Sequence, residues 1–598
     1  MASKKQTKDT SQEQKALISE AIGYIYNERL SNIIIGLTGR TGSGCTTVAN
    51  EILSRQTFDS LRLDPPKHQD LSSDDRKYRI IYDWLQNHWS PFDIIKISNL
   101  IVELCLEQDA SQFLSSIKKH VTGAPLREIS ELSNALSLQI QQHSPLLGSL
   151  ANQENKITIE AYEFYFKSLP HSIETIRQKI IESNRKAYTP MFQTFGDNLR
   201  ISGSPFDNTP RPSSLYTIPK RIQQLIYLGR IRNAITGKNE NYFAIDAIRH
   251  PFEIHFLRER FHNFLTIAIN CDSEDRHKRI ATTLRLGPDE LEDLDRKEYP
   301  EGADELNNYF DFISQNLQAC ISNADIYISN PNLQGPLESN SNFQDLKQKV
   351  CKYIALVQHP GLVTPTAPER CMQIAFSSAQ NSGCISRQVG AVITDSDFTI
   401  KAVGWNDVPK GQTSCLLRYS CDLYNGNRDS VSFSEYERTD QKFKKEGLAK
   451  FKSIPLTMPH INGRHLTYCF KSAYNKMKSG DNQVHTRALH AEENAFLQIS
   501  KLGGTGLKGG FLFTTASPCV LCAKKAYQVG ISKIFYVDPY PDITFSHVFG
   551  TGTGIPSVEL FSGVVGSAYH ALYEPIMPFK DEISALVAST QPPLPLSE

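Results

Sequence analysis

Two short motifs in the last third of the 598-residue sequence constrain it most: His490-Ala491-Glu492, and Pro518-Cys519-Val520-Leu521-Cys522. "LHAEENAF", Leu489 to Phe496, would alone be read as the charged face of an ordinary helix, because His and Glu recur on solvated faces for no chemical reason. A lone C-x-x-C pair is equally open to redox or structural-metal roles. Together the motifs require a fold in which His490 and Cys519, with 28 residues between them, meet at one point. The strand-like "GFLFTTA" between them permits this, since helix, strand and helix can bring two helix N-termini face to face. Ser517 is suited to cap the second helix and Pro518 to its first turn. Cys519 then sits near orphan backbone N–H groups and the positive end of the helix dipole, which favour a thiolate. Cys522, one turn later, shares its face. Two thiolates and one imidazole are a catalytic zinc set with a fourth position left open, toward which Glu492 would point without binding the metal.

The spacing H-x-E…P-C-x-x-C is the mark of the zinc deaminases, which this chain resembles there. Zinc brings the pKa of bound water toward about 7. Glu492 would take a proton from the water and deliver protons first to the ring nitrogen and then to departing ammonia. One carboxylate serves both steps because it alternates between base and acid.

Beyond the zinc motifs, "SGCISRQVGAVI", "GWNDVPKG" and "YVDPYPD" resemble the deoxycytidylate deaminases. That resemblance implies a cytidine-deaminase-like α/β/α domain with a five-stranded mixed sheet. It also implies substrate contacts from Asn406 to the deoxyribose and from Ala491 and Ser517. Asp407 stands where the family usually has glycine, a departure that bears on the family's triphosphate regulation. Some members hold a second, structural zinc, for which Cys384 and Cys415 are the matching positions here; the alternative for each is a buried apolar thiol.

Upstream, "SNIIIGLTGRTGSGCTTVANEIL" reads as strand, glycine-rich loop and helix, with apolar positions continuing through Val48, Ile52 and Leu53. Gly39 to Thr46 carries the G-x-x-x-x-G frame of a phosphate-binding loop, with Gly39, Gly42 and Gly44 in it and Cys45 in place of the usual lysine. Backbone N–H groups around Cys45, Thr46 and Thr47 could still cradle phosphate, and Thr46 could reach Mg2+. Asp246, ending "YFAID", looks like a magnesium-side acid of small-molecule kinases, while Arg249, Arg276 and Arg279 could face phosphates or be ordinary surface arginines. Short apolar runs in "YFAIDAIRHPF", "FLTIAINCDSEDRHKRI" and "ADIYISN" suggest a parallel α/β sheet. The stretch from about Arg55 to Asn241 reads as helical insertions. Three prolines from Pro360 to Pro368 mark a boundary.

The expected organisation is therefore a leader over 1–30, a P-loop kinase-like α/β domain over 31–358 and a zinc-dependent deaminase domain over 369–590. This pairing resembles the bacterial anti-phage deoxycytidine-nucleotide deaminases over nearly the whole chain. It implies deamination of dCTP or dCMP, a drained precursor pool, a regulatory nucleotide, RNA or phage-derived trigger, and a homo-oligomer. The roles of "FGDNLRISGSPF" and "FSGVVGSAYHALYEP" do not follow from their residues.

Charge weighs the alternatives. The 64 basic side chains balance 64 acidic ones, so no global field favours a nucleic-acid backbone or an anionic membrane. That counts against an editor acting on cytosine or adenine in nucleic acid, though a local patch could serve one. A nucleotide-sensing regulator with an inert deaminase domain is the remaining alternative, and the complete zinc set argues against it. The polar N-terminus lacks a signal-peptide core, no apolar run approaches the roughly 18 residues of a membrane span, and sparse cysteines fit a reducing cytoplasm. A cytoplasmic protein is expected.

Overall fold

The computed structural model describes residues 14–590 apart from 15–16, 28, 68, 70–71, 150–153, 284–286, 299–308, 332–340, 425–428, 450–459, 462, 481, 504–505 and 539–543. The chain divides into two compact units, one made of residues 1–364 with 567–598 and the other of residues 365–566.

Unit 1 is built on parallel strands β1 (Asn32–Thr38), β2 (Asp93–Lys96), β3 (Asn241–Asp246), β4 (Phe264–Asn270) and β5 (Ile326–Ser329). Their order is β5-β4-β1-β3-β2, and each neighbouring pair is parallel. Ile33 to Ile35 are buried, the pattern of a strand covered on both faces. Because β3 and β4 flank β1 on opposite sides, the strand order reverses at β1, and the glycine-rich turn leaves from its carboxyl end. In open α/β sheets this switch point is where a ligand crevice forms.

The Arg55–Asn241 stretch is helical over Ser73–His88, Ile97–Lys118, Gly123–His143, Asn155–Glu163, Leu169–Ser202 and Thr217–Thr236. It also contains β2, which the helical reading missed: a four-residue edge strand is too short to show a period of its own. "FGDNLRISGSPF" ends the Leu169–Ser202 helix, where buried Arg200 forms an ion pair with Glu253 at 2.8 Å. Helix α1 (Pro288–Glu298) packs Leu291 and Leu294 on Ile280.

In unit 2, β6 (Gly390–Thr394), β7 (Ile400–Trp405), β8 (Phe511–Ala516), β9 (Lys533–Asp538) and β10 (Ser557–Leu560) form a mixed five-stranded sheet in the order β10-β9-β8-β6-β7. The β6 and β7 hairpin is antiparallel, as is the pairing of β6 with β8, whereas β8, β9 and β10 run parallel. Helix α2 (Ala367–Ala379) packs on β6, β7 and β8, and α3 (Ala491–Leu502) on β6 and β7. Helix α4 (Val520–Gln528) joins β8 to β9 and buries Ala523 and Ala526 in the core with Ala491 and Ala495. The polar insertion after Gly411 forms its own small core of Phe433, Phe443, Leu448 and Tyr468, in which buried Arg418 forms an ion pair with Glu437.

The sequence reading ran the second domain to residue 590, but the segment from Ser567 onward belongs to unit 1. There α5 (Phe579–Thr590) packs Ala585 against Ile22 and Tyr26, and Glu582 accepts a 2.8 Å hydrogen bond from His359. Residues of the leader thus share a core with the end of the chain, a pairing that linear order does not reveal. Among the described residues, no helix is long and apolar enough to cross a membrane.

Candidate functional site

His490 is the N-cap of α3 and Cys519 the N-cap of α4, so strand β8 brings the starts of two helices together. Close backbone packing fixes their depth. Gly404 on β7 sits so near α3 that a Cβ there would lie 2.3 Å from the Ala491 carbonyl. Leu489 N–H donates to the Asp407 carbonyl at 2.9 Å, and Asn494 donates to the Trp405 carbonyl at 3.0 Å. Glu493 accepts from the His490 N–H at 3.5 Å and from Lys525 at 2.5 Å, tying α3 to α4.

The result is a donor set of metal-binding size. His490 Nδ1 is 3.3 Å from Cys519 Sγ and 3.5 Å from Cys522 Sγ, and the three donor atoms lie within 4.8 Å of one another. Tetrahedral zinc with ordinary Zn–S and Zn–N bonds would separate sulfur from nitrogen by about 3.6 Å, so the set fits zinc without rearrangement. Hydrogen bonding from Cys522, and then from His490, holds Cys519 down to about 4, while Cys519 and burial push Cys522 up. A site that stabilises a thiolate before any cation arrives is matched to a divalent metal. The protein binds zinc through His490, Cys519 and Cys522.

Glu492, the second residue of α3, is buried at 4% exposure, and burial raises its carboxyl pKa. Its Oε1 accepts from Thr514 at 3.5 Å. Asn406 is mostly committed to the protein: Oδ1 accepts from Val389 N–H at 2.7 Å, and Nδ2 donates to the Arg387 carbonyl at 2.8 Å. The side chain of Ala491 is fully buried. Ser517 does not cap α4 as its position suggested. Cys519 takes the N-cap, and the Ser517 N–H donates to the Asp538 carbonyl at 2.9 Å. The sequence reading missed buried Asp538 as a hub; it also forms an ion pair with Arg387, next to the loop that Asn406 holds. The signal was the aspartate of "YVDPYPD", whose residues 539–542 lie outside the described ones.

Cys384 and Cys415 line one cavity, together with Cys469 and Arg487. Cys415 accepts from Arg487 at 3.8 Å, and burial raises its pKa. Among the described residues, three donors converge only at His490, Cys519 and Cys522.

In unit 1, Thr46 Oγ1 donates to Asp246 Oδ2 at 2.9 Å, joining the two proposed magnesium-side residues. Cys45 is buried, and burial pushes its thiol up to about 12, so it supplies no charge. Gly44 has φ +112, and a Cβ there would meet Asn330 Nδ2 at 2.4 Å. Thr47 follows on the helical segment Cys45–Val48. The arginines have separate roles. Arg279 donates to the carbonyls of Gly42 and Ser43 at 3.4 and 3.3 Å, which orders the turn. Arg249 and Arg276 face Thr41: Arg249 donates to its hydroxyl at 3.2 Å and Arg276 to its carbonyl at 3.2 Å.

A sequence model of the cytidine and deoxycytidylate deaminase zinc-binding region matches residues 365–538, wholly within unit 2. The deoxycytidylate deaminase of Enterobacteria phage T4 is 29% identical over 180 residues, covering 28% of this chain and 76% of the phage protein. That of Homo sapiens is 26% identical over 176 residues, covering 29% of this chain and 67% of the human protein. The apo structure of a dCMP deaminase from cyanophage S-TIM5 aligns over 100% of its length with 33% of this chain, at 21% identity and a TM-score of 0.19, a value too low to carry an argument. The chain is a hydrolase distantly related to the deoxycytidylate deaminases, and the relationship resides in its second unit.

Proposed function

We propose that unit 2 hydrolyses the exocyclic amino group of a free deoxycytidine nucleotide, dCMP or dCTP, giving the deoxyuridine nucleotide and ammonia. The observation that carries this reading is the buried carboxylate of Glu492, two residues from ligand His490 and close enough to His490, Cys519 and Cys522 to interact with all three. Zinc in that donor set supplies the Lewis acidity that ionises water near neutral pH. Glu492 accepts one proton from the water and passes it to the ring nitrogen as the ring carbon becomes tetrahedral, then takes the second proton from the new hydroxyl on that carbon and gives it to the leaving amino group. Burial suits Glu492 to this alternation, because it narrows the gap between its acid and base forms. Asn406 holds the 387–389 loop and has one amide hydrogen left for the sugar.

Unit 1 is, on this reading, a nucleotide-responsive regulator, with Mg2+ and phosphate received at the turn carrying Gly39, Gly42 and Gly44. Coupled to it, the deaminase would drain the deoxycytidine nucleotide pool in anti-phage defence. Mass spectrometry of dCMP and dCTP after separate incubation with purified protein tests the catalytic half. Conversion of either supports it. Conversion of neither, with cytosine in a single-stranded oligonucleotide deaminated instead, overturns it.

A further inference from the structure

The anion seat beside the glycine-rich turn is filled by the protein itself. Thr41 N–H donates to the two carboxylate oxygens of Glu298 at 3.0 and 3.3 Å, and Arg249 donates to the same carboxylate at 2.8 Å. Glu298 is 1% exposed although it ends an acidic helix, α1. One turn earlier, Asp295 forms an ion pair with Arg40 at 2.7 Å and another with Arg276, whose side chain is fully buried. Two carboxylates from one short helix therefore neutralise three arginines around Thr41. Backbone N–H and forked guanidinium groups bind carboxylate and phosphate by the same geometry. Glu298 thus occupies ground on which a phosphate oxygen would be equally at home.

Among the described residues, the apolar hold on α1 is small. Leu291 and Leu294 meet Ile280, and these three make a satellite cluster of their own. A helix held mainly by charge is one that a competing anion can release. A second, independent feature marks the same turn as a place for an incoming ligand. Asp246 is 4% exposed and its Oδ1 has no hydrogen-bond partner among the described residues, while its other oxygen holds Thr46. A buried carboxylate oxygen without a donor is costly unless a cation completes it, and Mg2+ accompanying a polyphosphate is such a cation.

We infer that α1 is a built-in phosphate mimic, and that a magnesium-bound polyphosphate, as in a nucleoside triphosphate, competes with Glu298 and Asp295 for Thr41, Arg249, Arg276 and Arg40. The inference rests on the reading of unit 1 as nucleotide-responsive and adds what its ligand must displace. The ligand binds more weakly than the seat alone would allow, because it first pays to undock α1.

Full-length wild type and Glu298→Ala are titrated calorimetrically with Mg·ATP and with Mg·tripolyphosphate. The variant is expected to bind at least about tenfold more tightly, within the range of ordinary coupling energies. Equal or weaker binding by the variant overturns the inference and leaves the nucleotide reading standing. No binding of either probe to either protein at millimolar concentration overturns the nucleotide reading itself, and the inference with it. Since Glu298→Ala could disturb folding, hydrogen exchange on the wild type gives an independent readout. The amides of residues 289–298 should lose protection when a bound probe saturates the protein, and unchanged protection with probe bound overturns the inference.

Discussion

His490 Nδ1 lies 3.3 Å from Cys519 Sγ, although the two residues cap different helices. The contact exists because β8 spans the distance between two helix starts. Removing Cys519 leaves two donors, too few for a closed set. Cys519→Ala is expected to lose one zinc equivalent per chain together with deamination. Metal analysis by mass spectrometry checks it, and retention of both zinc and activity would rule out the ligand set.

Glu492 has a different expected signature. Glu492→Gln keeps the shape of a buried side chain but cannot shuttle a proton. The protein should remain folded and zinc-loaded while turnover falls by about 10²–10⁴-fold, the range for a positioned acid–base group. Steady-state kinetics beside metal content separates this from metal loss. Near-normal turnover would remove Glu492 from the reaction.

Gly404 tests whether the zinc site depends on the packing beneath it. A Cβ there would lie 2.3 Å from the Ala491 carbonyl and 2.6 Å from the Ala495 N, so α3 must shift. The shift would carry His490 with it. Gly404→Ala should weaken zinc retention against a chelator by roughly tenfold or more, as changes to the supports of metal ligands do. Zinc release indistinguishable from wild type would mean that the site tolerates movement of α3.

One pH-sensitive group of unit 1 is His250, which is 2% exposed. Its Nδ1 accepts from Phe252 N–H at 3.2 Å, and its Nε2 contacts the Phe312 carbonyl at 3.3 Å, the arrangement of a neutral ring. Burial and then the nearby Arg200 guanidinium hold its pKa down to about 4 from 6.5. A depressed histidine pKa means that the unfolded chain binds the proton more readily. The stability His250 contributes is therefore fully present above 6.5 and is lost as pH falls from there toward 4, by up to about 3 kcal/mol. His250→Asn, which can still accept from Phe252 N–H, should show a shallower decline. Denaturant midpoints of both proteins between pH 7.5 and 5 measure it, and parallel profiles would exclude His250 as the source.

The metal centre was legible because its chemistry lies in local patterns. His490 and Glu492, like Cys519 and Cys522, each fall within one helical turn, and the strand between them shows in "GFLFTTA". The alternation of strands and helices likewise gave both sheets. What escaped notice depends on long-range company. Ser517 looks like a cap in sequence, yet its backbone is drawn to the end of β9 by Asp538 and the helix begins two residues later, with Cys519 at the N-cap. Arg276 and Arg249 looked like phosphate ligands, and nothing near them in sequence announces that Asp295 and Glu298 would meet them first. Strand β2 is short and borders only β3, so its four residues never show a buried run.

The discontinuity of unit 1 also shapes how the chain is made. Its sheet leaves the ribosome first, but α5, which packs against Tyr26, comes after the whole of residues 365–566. At ordinary synthesis rates that interval is roughly 10–40 s, far longer than helices and hairpins need to form. The nascent first unit must therefore wait with Ile22 and Tyr26 lacking Ala585, although Tyr26 already has His359 to stack on, while residues 365–566 emerge. Its maturation is timed by residues translated after the second unit.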